Sequence, residues 1–463
     1  MEQLTILHTN DLHSHFENWP RIRRYLAKAR QEAVAAGHTV YTFDLGDHVD
    51  RVHPVSEATN GQQNVQLMNQ IGYDAVTIGN NEGLGFMRSQ LDHLYDHANF
   101  PVILGNLLTA DTHERPSWAV DHRLLTTEAG TRVLVLGLTA PYQLTYPLAG
   151  WKPIAAMKAL QELLATYADQ FDVCVLLSHL GLDVDRQIAK RFPQVTVIIG
   201  SHTHHLLPHG EHDQQSLLAA AGKFGRYVGK IELTLDDHHA VTVASASVVE
   251  TSTLPVEPGD QAEISGLENL GASILSEQRV ADLPVAMEAD PVGQPRLVRE
   301  GLHAIAEYAG TQAAILNAGL FLQDLPSGIV NANQLHQLLP HNMHVMTVTL
   351  NGYDLWRLVQ EFEIARLFLR RFPQKGMGFR GKIFGELNYL GIAYDSQSHA
   401  VTWRGEALSA HRQYKIAVLD HYLFIPFFPT IHIVGKNQIL YEDLLREVFA
   451  KYLAKHYPID ERG

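Results

Sequence analysis

Five short apolar runs in the first half of the chain, LTIL, VYTF, AVTI, VCVLL and VTVII, each give way within a few residues to side chains that can bind a metal. Short β-branched and aliphatic runs bounded by turn formers read as buried strands. The side chains that follow them are Asp11 and His13, Asp47, Asn80, His179, and His202 with His204. A chain patterned in this way must gather several strand ends at one edge of a sheet, where open α/β sheets usually carry their sites.

The rest of the pattern agrees with a layered α/β domain. Strands are predicted near 4–8, 39–45, 75–78, 101–106, 132–139, 173–178, 195–199, 216–221 and 228–235, with helices near 20–36, 61–71, 86–97, 153–170 and 183–191 between them. Ser, Thr, Pro, Glu and Gly crowd Thr251–Asp260, and a helix reaching about Gln278 follows. A second periodic series begins near Ala281, with a helix around 296–310, strands at 314–316 and 345–350, a long helix at 353–371, and strands near 387–394, 400–404 and 413–419. The expected division is a first domain over 1–250, a linker and connecting helix over 251–280, and a second domain over 281–463.

Composition excludes some partners. Lys and Arg number 36 against 50 Asp and Glu, a net charge of −14, so no global basic field draws nucleic acid or an anionic membrane. Any phosphate must be held by local positive charge. No apolar run approaches the ~18 residues that would span a bilayer, and a first strand starts at Leu4 with no leader pattern before it. Cys174 is the single cysteine and lies in an apolar strand, so it reads as a small core residue and the fold uses no intramolecular disulfide. The expected location is cytoplasmic.

The seven ligand-type residues suggest a two-metal centre. Asp11/His13 and His202/His204 are i, i+2 pairs, which in extended backbone project to the same side. A carboxylate can bridge two cations, and Asp47 is the natural shared ligand. Asp11, His13 and His204 then fall to one ion, and Asn80, His179 and His202 to the other. Nitrogen-rich ligation favours divalent Mn, Zn, Fe, Co or Ni over Mg or Ca, with Mn or Zn preferred here. Two dications against the charges of Asp11 and Asp47 leave a positive surplus that attracts an anion. Such a pair also acidifies water to hydroxide near neutral pH, which suits attack on a phosphoester.

Asn10-Asp11-Leu12-His13, Gly46-Asp47, Gly79-Asn80-Asn81-Glu82, Ser178-His179 and Gly200-Ser201-His202-Thr203-His204 resemble the successive motifs of the calcineurin-like metallophosphoesterases. In the second half, Asn317-Ala318-Gly319, Pro340-His341-Asn342, Leu350-Asn351-Gly352 and Tyr414-Lys415-Ile416-Ala417-Val418 resemble segments of the 5′-nucleotidase family. The resemblance implies a four-layered α/β/β/α metal domain followed by a smaller α/β substrate domain. It also implies hydrolysis of the phosphoester or pyrophosphate bond of a nucleotide or nucleotide-containing metabolite. In that family the second domain holds the base between two aromatic rings and supplies arginines. Phe379 and Phe428 are the expected rings, Arg380 and Arg366 the expected phosphate or ribose contacts, and Asn317 and Gly319 belong to the substrate turn.

One departure bears on catalysis. The family's Asn is normally followed by a His with an Asp a few residues on, and here Asn81, Leu84 and their neighbours stand instead. A neutral amide can donate a hydrogen bond but carries no charge. Asn81 itself, His48 and Arg51 are the expected catalytic substitutes. Two rival functions follow: a nucleotide-binding sensor with weakened catalysis, and a phosphoesterase for a non-nucleotide substrate.

Overall fold

The computed structural model describes residues 1–376 and 378–460. They form two compact units, divided between Gly271 and Ala272, inside the helix Asp260–Ser276.

The first unit is built on two sheets. One has seven strands in the order Val241–Glu250, Tyr227–Leu235, Glu2–Thr9, Thr39–Asp44, Ala75–Val76, Val102–Ile103 and Ala119–Val120. The other has six, in the order Glu211–Asp213, Ser216–Ala219, Val197–Gly200, Val173–His179, Arg132–Thr139 and His122–Thr126. Strand Val173–His179 explains why its sequence is apolar at nearly every position: it is covered on both faces. Val173, Val175 and Leu177 point into the core between the sheets, with Leu4, Ile6, Phe43, Val197 and Ile231. Cys174 and Leu176 face the other way, against Leu160 and Leu163 of helix Ala156–Thr166 and Ile188 of helix Leu182–Arg191. Helix Trp19–Ala35 buries Trp19, Ile22 and Leu26 over the first sheet. The layers are therefore α/β/β/α.

Parallel pairing places the loops. Glu2–Thr9, Thr39–Asp44 and Ala75–Val76 run parallel, as do Val173–His179 and Val197–Gly200. The segments leaving these strands meet at one edge: Asp11 N donates to Gly46 O at 3.1 Å and His13 N to Asp47 O at 2.8 Å. His179 Nδ1 reaches Leu45 O at 2.8 Å, which ties the second sheet's exit to the first.

The second unit centres on a five-stranded sheet in the order Leu387–Leu390, Ala314–Asn317, Gln413–Leu419, His344–Asn351 and Lys436–Leu444. Side chains alternate across it. Val345, Ala417 and Leu419 pack with helices Arg296–Tyr308 and Leu445–His456 on one face. Met346, Val348, Ile416 and Val418 pack with Leu355, Leu358 and Phe362 of helix Gly352–Leu369 on the other. Among the described residues no helix is long and apolar enough to cross a membrane.

Candidate metal centre

The strand exits bring the predicted ligands into two groups. Asp11, His13 and His204 offer ligand atoms within 4.8 Å of one another, and so do Asp47, His179 and His202. Asp47 Oδ2 lies 3.7 Å from His13 Nε2 and 3.4 Å from His179 Nε2, so one carboxylate oxygen faces both groups. In the first group His13 Nε2 and His204 Nε2 stand 3.1 Å apart, with Asp11 Oδ1 at 3.9 and 3.6 Å from them.

The backbone reason for this convergence differs from the extended i, i+2 geometry expected from sequence. Asp11, His13, Asp47, His202 and His204 all have positive φ, between 49° and 72°. The strands Glu2–Thr9, Thr39–Asp44 and Val197–Gly200 lead into left-handed turns, and the turn, not an extended pleat, aims these five side chains. Asp, Asn and His enter this region several times more often than other L residues.

The atoms fit divalent cations. His179 Nδ1 donates to Leu45 O, which leaves Nε2, 3.4 Å from Asp47 Oδ2, as the atom that would face a cation. His179 Nε2 and Asn80 Oδ1 are buried with no hydrogen-bond partner among the described residues. Unpaired buried polar atoms cost ~1–3 kcal/mol each, and a cation satisfies both. Burial opposes charging His179, yet Asp47 and Asp11 outweigh it and push its pKa up to about 10. The carboxylates thus demand positive charge at this spot. Gly79 leaves room for them: a Cβ there would lie 2.0 Å from Asp47 Oδ1 and 2.4 Å from His179 Cε1.

Supporting bonds hold each ligand. Asp11 Oδ2 accepts from Asn10 Nδ2 at 2.8 Å and Ser201 Oγ at 2.7 Å. Ser201 Oγ also lies 3.0 Å from His179 Nδ1, and Tyr142 Oη lies 3.1 Å from His202 Nε2. Glu82 is a residue whose role the sequence did not disclose. Its carboxylate accepts from the backbone N–H groups of Asp47, Val49 and Gly79 at 2.8–2.9 Å and clasps two ligand loops together. The fixed offset from Gly79 to Glu82 was the available signal, because the third residue of a helix can reach back to the N-cap N–H.

The three expected catalytic substitutes fare differently. Asn81 is at the centre, with its N–H on Asp47 Oδ1 at 2.7 Å and its side-chain amide 2.9 Å from His13 Nδ1. His48 is buried edge-on against Trp19, and burial holds its pKa down at about 3, so it is a neutral core residue. Arg51 pairs with Glu57 at 2.7 Å and lies over Phe86. Its guanidinium closes a buried ion pair.

In the second unit the expected base clamp is not formed. Phe379 stacks on His341 at 5.2 Å, within the cluster on one face of the sheet. Phe428 is buried against Phe362 at 4.4 Å, in the cluster on the opposite face. Each ring completes an apolar layer, which buries more surface than a solvent-facing slot allows. Arg366 is likewise committed, to Glu363 at 2.6 Å, to Glu386, and to Leu387 O at 2.8 Å. Asn317 is buried, donating to Phe384 O at 2.6 Å and accepting from Tyr422 Oη at 2.9 Å. Gly319 lets the backbone at Ile383 and Phe384 pass so close that a Cβ would lie 2.0 Å from Ile383 O. These two residues seat Phe384. The backbone N–H of Arg380 donates to His341 Nδ1 at 3.0 Å, and its side chain is half-buried. Phe384 in turn lines a cavity of about 310 Å³, with Phe372, Phe427, Leu369, Ile425 and Gln374.

Comparison with known proteins agrees with this architecture. Residues 4–206 match the calcineurin-like phosphoesterase family, and residues 296–424 match the 5′-nucleotidase C-terminal domain. The uncharacterized metallophosphoesterase YunD of Bacillus subtilis is 35% identical over 463 residues, covering 98% of this chain and 100% of its own. The 5′-nucleotidase precursor of Thermus thermophilus shares the fold, with a TM-score of 0.60 at 19% identity over 99% of this chain and 97% of that one. So does the NAD nucleotidase NadN of Haemophilus influenzae, with a TM-score of 0.65 at 16% identity over 98% and 96%. With its ligand-bearing strand exits, its second unit and a full-length relative, this chain belongs to the 5′-nucleotidase family of calcineurin-like metallophosphoesterases, a family of hydrolytic enzymes.

Proposed function

We propose that the chain hydrolyses the phosphoester or pyrophosphate bond of a nucleotide or nucleotide-containing metabolite. Asp11, His13 and His204 would hold one divalent ion, Asn80, His179 and His202 a second, and Asp47 both. When bound, such a pair supplies Lewis acidity to a phosphoryl group. The observation that carries this reading is Asp47 Oδ2 between the two imidazole groups, beside the orphaned Asn80 Oδ1 and His179 Nε2.

The chain's own groups do the positioning. Asn10 and Ser201 keep Asp11 oriented, Leu45 O fixes the His179 proton on Nδ1, and Glu82 binds the Asp47 loop to the Gly79 loop. Preorganisation of this kind keeps each ligand in place before substrate arrives. The cavity lined by Phe372, Phe384 and Phe427 suits a flat heterocycle, whose faces gain from aromatic contact, and it supports a nucleotide over an aliphatic phosphoester.

Release of phosphate, or of mononucleotides from a dinucleotide, by manganese- or zinc-loaded protein acting on nucleoside mono- and diphosphates, a dinucleotide and glycerol phosphate tests the reading. Turnover on at least one nucleotide, abolished by chelator, is expected. No release from any nucleotide, or unchanged release after chelation, refutes it.

A further inference from the structure

His13 is contacted at both ring nitrogens. Its Nε2 faces His204 Nε2 at 3.1 Å, Asp47 Oδ2 at 3.7 Å and Asp11 Oδ1 at 3.9 Å. Its Nδ1 lies 2.9 Å from Asn81 Nδ2 and 3.6 Å from Asp50 Oδ2. Only the first of these Nδ1 contacts has hydrogen-bond length.

A neutral imidazole has one ring proton. For Nε2 to offer a lone pair to a cation, that proton must sit on Nδ1. In the structure Asn81 Nδ2 faces it at 2.9 Å, which in that tautomer sets two donors against each other, so the metal-binding tautomer requires the amide turned to present its carbonyl oxygen. Amide oxygen and nitrogen have nearly the same shape and are told apart by their partners. Turning the amide gives up a 3.3 Å contact from Asn80 Nδ2, beyond the usual range for N–H···O, and brings the Asn81 NH₂ group opposite that donor instead.

We propose that Asn81 is a positioning residue that accepts the Nδ1 proton of His13 and so fixes the tautomer in which Nε2 binds a divalent ion. The inference rests on the two-metal reading above. It gives Asn81 a role towards the metal site rather than a vacancy left by a missing imidazole. The same residue's backbone N–H on Asp47 Oδ1, at 2.7 Å, couples the shared carboxylate to the first ligand group.

Zinc binding tests it without recourse to turnover. Wild type, Asn81→Ala and Asn81→Asp are titrated with zinc against a competing chelator. Wild type should take up two ions. Asn81→Ala should weaken one of them by about 10–100-fold and leave the other unchanged, the usual effect of losing a group behind a ligating histidine. Asn81→Asp keeps an acceptor oxygen and should restore binding to within a few-fold. If Asn81→Ala binds both ions as wild type does, or Asn81→Asp is as weak as Asn81→Ala, the proposal is overturned while the metal centre stands. If wild type takes up no zinc, the metal reading itself fails. A measurement independent of any variant's folding is the long-range ¹H–¹⁵N spectrum of zinc-loaded wild type with His13 assigned. A proton on Nδ1 is expected, and one on Nε2 overturns the proposal.

Discussion

Gly79→Ala isolates the packing of the metal centre from its chemistry. Gly79 has φ −99° and ψ −170°, extended backbone open to any residue, so alanine brings no backbone strain. The whole effect comes from one methyl group. Its carbon would lie 2.0 Å from Asp47 Oδ1 and 2.4 Å from His179 Cε1, roughly 1–1.5 Å short of ordinary contact. Neither neighbour can retreat freely. Asp47 Oδ1 holds the N–H of Asn81 at 2.7 Å, and His179 Nδ1 is bonded to Leu45 O at 2.8 Å. Overpacking costs ~1–3 kcal/mol and one lost hydrogen bond about 1 kcal/mol more, together roughly 2–4 kcal/mol. If the cost falls on the liganded geometry, metal affinity drops about 30–1,000-fold. Zinc competition and urea denaturation with and without zinc measure both parts. Gly259→Ala is the control: a Cβ there meets nothing within 4 Å, so both quantities should stay at wild-type values. A Gly79→Ala protein that binds two ions within threefold of wild type and keeps its urea midpoint refutes the reasoning.

Asp47→Ala should bring phosphate release to background and abolish retention of both ions, and retention of either ion at wild-type affinity contradicts its place between the two groups. Phe427→Ala should raise KM for nucleotides by about tenfold, within the ~1–3 kcal/mol that a base gains from an aromatic ring, while leaving a small aryl phosphate unaffected. Phe428→Ala should instead cost ~3–5 kcal/mol of stability, since that ring is fully packed in the core, and a normal melting temperature would show otherwise. His341 and His421 are buried, and desolvation holds their pKa values at about 4 and about 3, below the unfolded value near 6.5. The unfolded chain therefore takes up protons first, and the stability these residues contribute above pH 6.5 is lost as pH falls towards 4. For His341 that is about 3 kcal/mol at pH 4, and equal urea midpoints at pH 7 and pH 4.5 would refute it.

The gathering of Asp11, His13, Asp47, His179, His202 and His204 was legible because two signals coincide at each position: a strand-forming run stops, and a side chain with a suitable donor atom stands there. The sheets were legible for the same reason, as the two-sided burial of Val173–His179 shows. The aim of the ligands was not. Left-handed turns at Asp11, His13, Asp47, His202 and His204 depend on how neighbouring loops bond, as when His13 N binds Asp47 O, and no local pattern announces them. Nor was the fate of loop aromatics. Phe379, Phe427 and Phe428 all neighbour Gly or Pro, or lie one residue from it, and only the packing of distant strands decides which one fills a core and which one lines a cavity.

The left-handed turns also restrict how this centre can be altered. A non-glycine residue in that conformation costs roughly 1–2 kcal/mol, least for Asp, Asn and His. At five positions the residues able to coordinate and the residues able to make the turn come from nearly the same short list. Glutamate and cysteine are equally good donors but poor turn formers, so exchanging Asp11 for Glu or His204 for Cys to retune metal preference would meet resistance from the main chain as well as from the metal. Ligand identity here is selected twice, by the ion and by the fold, and the vocabulary left to variation at this edge of the sheet is narrower than coordination chemistry alone would set.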